Sequence, residues 1–578
     1  MLRAIFCGAF ALAACFGDKP APEKAPPVLS SAPKAETKQP VADIPAVQTP
    51  DAASANPVVT VAPDREPNDT PQEAIVLAPG QTATGFIAEP DDPKARRGDQ
   101  DWYAIEVKGQ SPMTAKVSVE GADDLDIVLE YMDPKPRRRG RYRAIVQADV
   151  IQKKPGPEVL VGLRLEPGKH YFRVRQAWYR RKPRKGSLSP YRLSHSLSPF
   201  SPRADTEPNN RPKNASEGTF DRSFEGLIGH RGDRDLWAVR LPSDMAGQRV
   251  RVHLAPFGNA MMTLAIAAPG RPELGSAVNG TAANPIELRN VYVPEGLADD
   301  ARVLYVKVGA RAKAASVTDP YRVTVSPETA LVAGAVSERE PNDDFEIATP
   351  VTTVASASQP QVFYGYIDHA RDEDVFRIDL GKPANLSVSL TPPLDSDLSV
   401  HIHGVDGHVS SAEHTARGQS EMVRGLALKP GMWHVVVKRQ SGQVSTKAAY
   451  ALQLELLDTA GLESEPNDNA TGPLKSLEPG KPAKGWLYPV RDRDFWAVTV
   501  GDDNQGRIAT FRLNLPPGLV AKAGIYKADG TVLTIAERLV ANATFTHFLQ
   551  SGTYHLQVWA ASPTSSDAQT PYTLTLLK

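Results

Sequence analysis

Cysteine is almost absent: this chain of 578 residues has two, Cys7 and Cys15, both within its first fifteen positions. No disulfide framework can hold the later domains, so each must be stable through its core or through bound ions. Aromatic residues are sparse at 7%, and 66 Lys and Arg stand against 67 Asp and Glu, so no global charge points to nucleic acid. His-Glu-x-x-His, Gly-x-Ser-x-Gly and Walker-loop sequences are all missing, as is a cysteine nucleophile beyond position 15. The only long apolar run, from Ala4, is well short of the roughly 20 residues a membrane-spanning helix needs. Proline, by contrast, is abundant at 51 residues, and alternating apolar and polar positions dominate over helical periodicity. That combination favours an all-β chain with many turns.

Met1-Leu2-Arg3, the apolar run and Leu12-Ala13-Ala14-Cys15 read together as a secretory signal over residues 1–14. Leu-Ala-Ala-Cys resembles the bacterial lipobox, which implies lipidation of Cys15, removal of Cys7 and a cell envelope location, with Phe16 fitting the outer membrane. A plain signal peptide or a short anchor is the alternative. Residues 15–62 are rich in Pro, Ala, Lys and Glu, a composition that cannot bury enough surface to fold, and read as a disordered tether.

Glu66-Pro67-Asn68-Asp69 returns as Glu207-Pro208-Asn209-Asn210, Glu340-Pro341-Asn342-Asp343 and Glu465-Pro466-Asn467-Asp468, at spacings of 141, 133 and 125 residues. Each copy has an acid two positions earlier: Asp64, Asp205, Glu338 and Glu463. Each is followed by a second acidic cluster running into an aromatic strand, at Asp99-Gln100-Asp101, Asp233-Arg234-Asp235, Asp372-Glu373-Asp374 and Asp492-Arg493-Asp494. The period is that of a domain rather than a solenoid unit. Boundaries fall at 63–199, 203–328, 336–458 and 461–578. In the last repeat, strands are expected at Lys484 to Tyr488, Phe495 to Val500, Ala509 to Leu515, Ala523 to Tyr526, Val532 to Ala536, Thr544 to Leu549, Tyr554 to Trp559 and Tyr572 to Leu576, with a shorter one near Leu474 to Leu477. Short strands at this spacing imply a β-sandwich. The predicted fold is all-β: four tandem jelly-roll-like β-sandwich domains after a disordered N-terminal tether.

The fourfold order of Glu-Pro-Asn-Asp, glycine strand, Asp-x-Asp strand, Asp-Gly hairpin and a last strand opening on Tyr191, Tyr321, Tyr450 or Tyr572 resembles the bacterial pre-peptidase C-terminal domain and the related collagen-binding domains of clostridial collagenases. The resemblance covers nearly everything after residue 62. It implies jelly-roll-like sandwiches with no catalytic unit of their own.

Strand parity brings the two acidic clusters to one end of each sandwich, because the chain goes up one strand and down the next between them. Four or five carboxylate and amide oxygens from two loops suit calcium, a hard cation. The resemblance nominates Asp64, Glu66, Asn68, Asp69, Asp99 and Asp101 in repeat 1, and Asp205, Glu207, Asn209, Asn210, Asp233 and Asp235 in repeat 2. In repeat 3 it nominates Glu338, Glu340, Asn342, Asp343, Asp372 and Asp374, and in repeat 4 Glu463, Glu465, Asn467, Asp468, Asp492 and Asp494. Asn210, one charge short, should weaken the second site. The competing reading is a purely structural turn whose acids are neutralised by Arg97, Arg234, Arg371 and Arg493.

Repeat 1 also carries two basic loops, with Arg137, Arg138, Arg139, Arg141 and Arg143 in one and Arg180, Arg181, Lys182, Arg184 and Lys185 in the other. These loops suit an anionic polymer or are solvated hairpin tips. Parity puts the first at the end opposite the acids and the second beside them. His401, His403, His408 and His414 crowd repeat 3. His401 and His403 share a strand face, as a transition-metal edge or as solvent-facing positions. Fewer than about twenty residues remain between domains, which leaves no space for a catalytic domain. The expectation is a non-catalytic, lipid-anchored envelope protein that binds an envelope protein or polysaccharide, adheres or spaces. An accessory subunit of a secreted peptidase and a purely structural envelope protein are the alternatives.

Overall fold

Alternation in the sequence is carried into strands. In Met113–Gly121, Ala115, Val117 and Val119 are buried while Lys116 and Glu120 face outward, as a sheet with one face on a core requires. The computed structural model describes residues 60–91, 98–137, 141–148, 155–177, 185–278, 284–311, 314–329, 335–352, 360–368, 371–413, 416–442, 445–457, 459–471, 474–501 and 506–577. Cys15, the expected signal and nearly all of the expected tether lie outside the described residues. So do Arg97, Arg138, Arg139, Arg180, Arg181, Lys182, Arg184 and His414.

The first repeat has strands β1 (Val61–Pro63), β2 (Ile75–Leu77), β3 (Thr82–Gly85), β4 (Gln100–Val107), β5 (Met113–Gly121), β6 (Ile127–Arg137), β7 (Arg141–Ala148), β8 (Glu158–Leu165), β9 (Gly168–Gln176) and β10 (Tyr191–Pro199). They form two five-stranded sheets in the orders β1-β3-β10-β5-β8 and β2-β4-β9-β6-β7. Tyr103, Phe172 and Tyr191 fill the space between them. The three later repeats are β-sandwiches of the same plan, with separate cores built around Trp237, Phe376 and Trp496. None of these cores crosses a repeat boundary. Ala62, at 7% exposed, belongs to the first core, so that sandwich begins at Val61, two residues before the expected 63.

Two details of the fourth repeat differ from expectation. Its first strand is Pro482–Gly485 rather than Lys484 to Tyr488. Beyond Gly485 the backbone N–H groups turn to side chains: Trp486 donates to Glu463 Oε1 at 2.9 Å and Tyr488 to Asp492 Oδ2 at 2.7 Å. The strand ends because its ladder donors are taken by carboxylates. Around Leu474 to Leu477 there is an isolated bridge, Ser476 to Ala497, in place of a strand.

Each of the last three Glu-Pro turns is clipped to the sandwich before it. Glu207 N donates to Gly162 O at 2.7 Å and Glu207 O accepts from Arg164 N at 2.8 Å. Glu340 repeats this with Asn290 O (3.1 Å) and Tyr292 N (2.9 Å), and Glu465 with Gly425 O and Ala427 N, both 2.9 Å. The receiving strands, β8, Ile286–Tyr292 and Glu421–Leu428, each carry a register shift at this point. The bulge residue is left-handed in all three, with φ of 68° at Gly162, 54° at Asn290 and 62° at Gly425. The corresponding strand of the last sandwich, Ala543–Leu549, pairs with Arg507–Asn514 without a shift. A bulge therefore occurs where a following sandwich docks.

Gly425 is tightly packed, since an added methyl would lie 3.0 Å from Glu463 Cγ. Gly425→Ala also places an L-residue at positive φ, which costs about 1 kcal/mol. The expected result is faster limited proteolysis at the joint near residues 457–463, with the third and fourth sandwiches still melting as folded units. Unchanged cleavage would show that the clip does not hold the joint.

Candidate cation centre at the sandwich joints

The two acidic clusters of each repeat meet. Ligand oxygens of Asp64, Glu66 and Asp101 lie within 4.8 Å of one another, as do those of Asp205, Glu207 and Asp235, and of Glu338, Glu340 and Asp374. A second, outer triad shares the Glu-Pro glutamate: Glu66, Asp69 and Asp99 in repeat 1, Glu340, Asp343 and Asp372 in repeat 3. Two placements differ from the parity sketch. The Glu-Pro turn follows a short strand, β1 or Val336–Ser337, rather than preceding the first. The second aspartate of each pair lies inside its strand, and Asp101, Asp235, Asp374 and Asp494 are all 0% exposed.

Backbone donors hold the carboxylates in repeating roles. The leading acid accepts from the chain just past the glycine strand: Asp64 from Phe86 N (3.1 Å), Asp205 from Leu227 N (2.8 Å), Glu338 from Tyr366 N (2.8 Å) and Glu463 from Trp486 N. Asp233 accepts from Gly229 N at 2.8 Å and Asp492 from Tyr488 N, while Asp99 and Asp372 accept from Ala88 N and Asp368 N. Each Glu-Pro glutamate accepts from the N–H of the asparagine two residues on, at 2.9–3.3 Å. The asparagine carbonyls of Asn68, Asn342 and Asn467 then accept from Trp102, Val375 and Phe495 N–H, tying one turn to the other. All four Glu-Pro bonds are cis.

The tyrosine that opens each last strand belongs to the centre, a role the sequence reading did not assign. Tyr321 Oη donates to Asp235 Oδ2 at 2.7 Å and Tyr450 Oη to Glu338 Oε2 at 3.0 Å, and Tyr191 Oη donates to Asp101. Gly85, Gly226, Gly365 and Gly485 stand where a methyl would overlap the tyrosine hydroxyl or the neighbouring acid. The fourfold pairing of one glycine with one tyrosine was the available signal.

Burial sets the electrostatics. Loss of solvation raises Asp101 to about 9 and Asp492 to about 10, with Asp99 and Asp494 respectively adding like charge. Burial pushes Asp205, Glu338 and Glu465 up to about 7 and moves Glu207, Glu340, Asp235, Asp374 and Asp494 well above the usual carboxylate range. Of the arginines proposed as neutralisers, Arg234 and Arg493 sit elsewhere. Arg234 lines the outer face with Lys307, and Arg493 lies by Tyr526. Neighbouring strand positions point to opposite faces, which sends Arg234 and Arg493 away from the inward Asp235 and Asp494.

Several oxygens in the centre have no donor. Buried Asn68 Oδ1, Asn209 Oδ1 and Asn467 Oδ1 face none, and neither do Asp101 Oδ1, Glu207 Oε1 and Glu465 Oε1. Leaving such a group unmatched costs about 1–3 kcal/mol. Two small cavities lie beside the carboxylates. One of about 40 Å³ is lined by Val161, Gly162, Asp205, Glu207 and Asp233, and one of about 20 Å³ by Arg289, Glu340, Asp343, Asp368 and Asp372. Each is bounded on one side by the preceding sandwich. A water fits such a space but brings no charge, whereas an oxygen-seeking divalent cation supplies both. The donor set therefore suits a hard divalent cation. Repeat 3 is the most self-sufficient: Asn290 Nδ2 donates to Glu338 Oε1 at 2.9 Å, and Asn342 satisfies both ends of its amide with Nδ2 toward Asp374 and Glu340 and Oδ1 toward Thr349. Asn210 is exposed and lines the outer groove of repeat 2. Asp69, Asp343 and Asp468 are likewise exposed, at the outer rim.

Of the basic residues, Arg137, Arg141, Arg143 and Lys185 are described, and all are exposed. Arg137 pairs in register with Arg141 at the hairpin tip. Asp101 and Ile127 mark the opposite end through their β9 partners, Val174 and Gln176. Lys185 N bonds Gln176 Oε1 at 3.2 Å, so the second loop begins and ends near the acids while the first is remote from them.

No family model matches the chain, and no curated protein does. Among solved structures, 121 chains match. One is the CUB1-EGF-CUB2 domain of human MASP-1/3, at 11% identity over 42% of this chain and 99% of that one, with a TM-score of 0.11. At that score the likeness carries no argument.

Proposed function

We propose that the chain is a non-catalytic, lipid-anchored bacterial envelope protein, built of pre-peptidase C-terminal-type sandwiches whose joints are set by calcium, and that it acts as a binding, adhesion or spacer module. The observation that carries this reading is the set of donorless, buried oxygens among crowded carboxylates, which in repeats 2 and 4 lie where one sandwich docks on the next. A cation there touches the second sandwich directly and sits beneath the strand of the first, so its removal loosens both. Lipidation at Cys15 through the lipobox-like Leu-Ala-Ala-Cys would fix one end to a membrane.

Small-angle scattering of the full chain tests the joint. With calcium, an extended particle of fixed dimensions is expected; with chelator, a larger and broader distribution of dimensions. Identical profiles in the two conditions would refute the calcium-set joint. Mass spectrometry of the mature N-terminus tests the anchor separately: a diacylated Cys15 is expected, and an unmodified or absent Cys15 would remove it.

A further inference from the structure

The four second sheets differ on their outer faces at one pair of positions. Repeat 1 has Glu130 and Met132, opposite Arg173 and Tyr171. Repeat 2 has Ala265 and Ala267, repeat 4 has Gly524 and Tyr526, and repeat 3 has His401 and His403. Each choice has a consequence. Glu130 is closed by Arg173 and Arg175, at 2.6 and 2.7 Å; the small alanines leave an open groove of about 660 Å³; Tyr526 bonds Gln557 at 2.7 Å. In repeat 3 the same place holds imidazoles.

His403 lies in register with His408 on the adjoining hairpin strand Gly407–Ala412 and with His434 on its other neighbour. Cross-strand partners share a face, as do residues two apart on one strand. His401, His403 and His408 therefore project together, with ring centres 5.8 Å apart for 401 and 408 and 5.3 Å for 403 and 408. Two imidazoles sharing an ion at about 2.0–2.1 Å have ring centres roughly 5 Å apart. His401 is 6% exposed, not solvent-facing as strand alternation suggests. Its Nε2 meets Ser399 Oγ at 2.9 Å and Glu413 Oε1 at 3.2 Å, which leaves Nδ1 as a ligand atom and supplies the carboxylate partner typical of a metal-bound histidine. His434, 5% exposed and stacked on Phe345 at 4.4 Å, has no partner for Nε2 and packs into the same patch.

We propose that His401, His403 and His408 form a site for a borderline divalent transition metal such as zinc, distinct from the oxygen-lined joints. Three imidazoles on two antiparallel strands suit zinc with a fourth position open to water or an external ligand.

The test is equilibrium dialysis of the untagged full chain against zinc, with calcium in excess to occupy hard-oxygen sites. One zinc per chain is expected beyond whatever His403→Gln retains, with affinity at least tenfold weaker in His408→Gln. His408 is exposed, so its substitution should leave zinc-free melting unchanged and separate ligand loss from misfolding. Cobalt in place of zinc should give the strong visible absorption of a low-coordinate nitrogen site in the parent and not in the variants. Equal zinc in parent and both variants, or no zinc in the parent, would overturn the proposal.

Discussion

Calcium should raise the melting temperature of the full chain by about 10 °C or more at pH 8 and by far less at pH 5. A ligand at a hundred times its Kd adds about 2.7 kcal/mol, and each kcal/mol moves a domain of this size by about 4 °C. The pH dependence follows from the buried acids. In the unfolded chain they titrate near 4; folded and metal-free, Asp205, Glu338 and Glu465 titrate near 7, Asp101 near 9 and Asp492 near 10. Below about pH 4 both states are protonated and no penalty exists. As pH rises from there, unfolding releases protons, so metal-free stability falls until the folded groups also ionise. Calcium favours the ionised folded form and offsets that fall. Melting curves in chelator and in calcium should diverge as pH rises. Parallel curves would mean the acids share protons or water and hold no cation.

Gly485→Ala should be the most damaging methyl addition in the fourth sandwich. The new carbon would overlap Glu463 Oε2 and stand 2.6 Å from Tyr572 Oη, both buried. Overpacking of this kind costs about 3 kcal/mol, which lowers the melting of that sandwich by roughly 10 °C. The displaced Glu463 should also weaken calcium's effect there. Gly381→Ala is the control, because a methyl at that site meets nothing within 4 Å. Equal melting of the two variants would contradict the packing described for the glycine and tyrosine pair.

The acids were legible because they recur: four Glu-Pro-Asn turns and four Asp-x-Asp pairs, separated by one strand up and one down, had to converge if the repeat was a sandwich. The glycine and tyrosine recur too, but their partnership spans about a hundred residues, so only the structure joins Gly85 to Tyr191. The docking bulges were hidden for a different reason. Val161-Gly162, Arg289-Asn290 and Arg424-Gly425 share a backbone conformation rather than a motif, and Asn290 supplies by its amide what the glycines supply by lacking a side chain. His401 misled because alternation tells which face a residue takes, not whether that face is covered. Here Ser399 and Glu413 lie against the ring, and burial follows from the sheet's surface furniture.

Isothermal titration of calcium into the chelator-treated full chain tests the central claim most directly. Saturable binding of at least three ions per chain is predicted, from the repeats in which Asn68, Asn209 and Asn467 present an oxygen without a donor. Absence of saturable heat at millimolar calcium would contradict it.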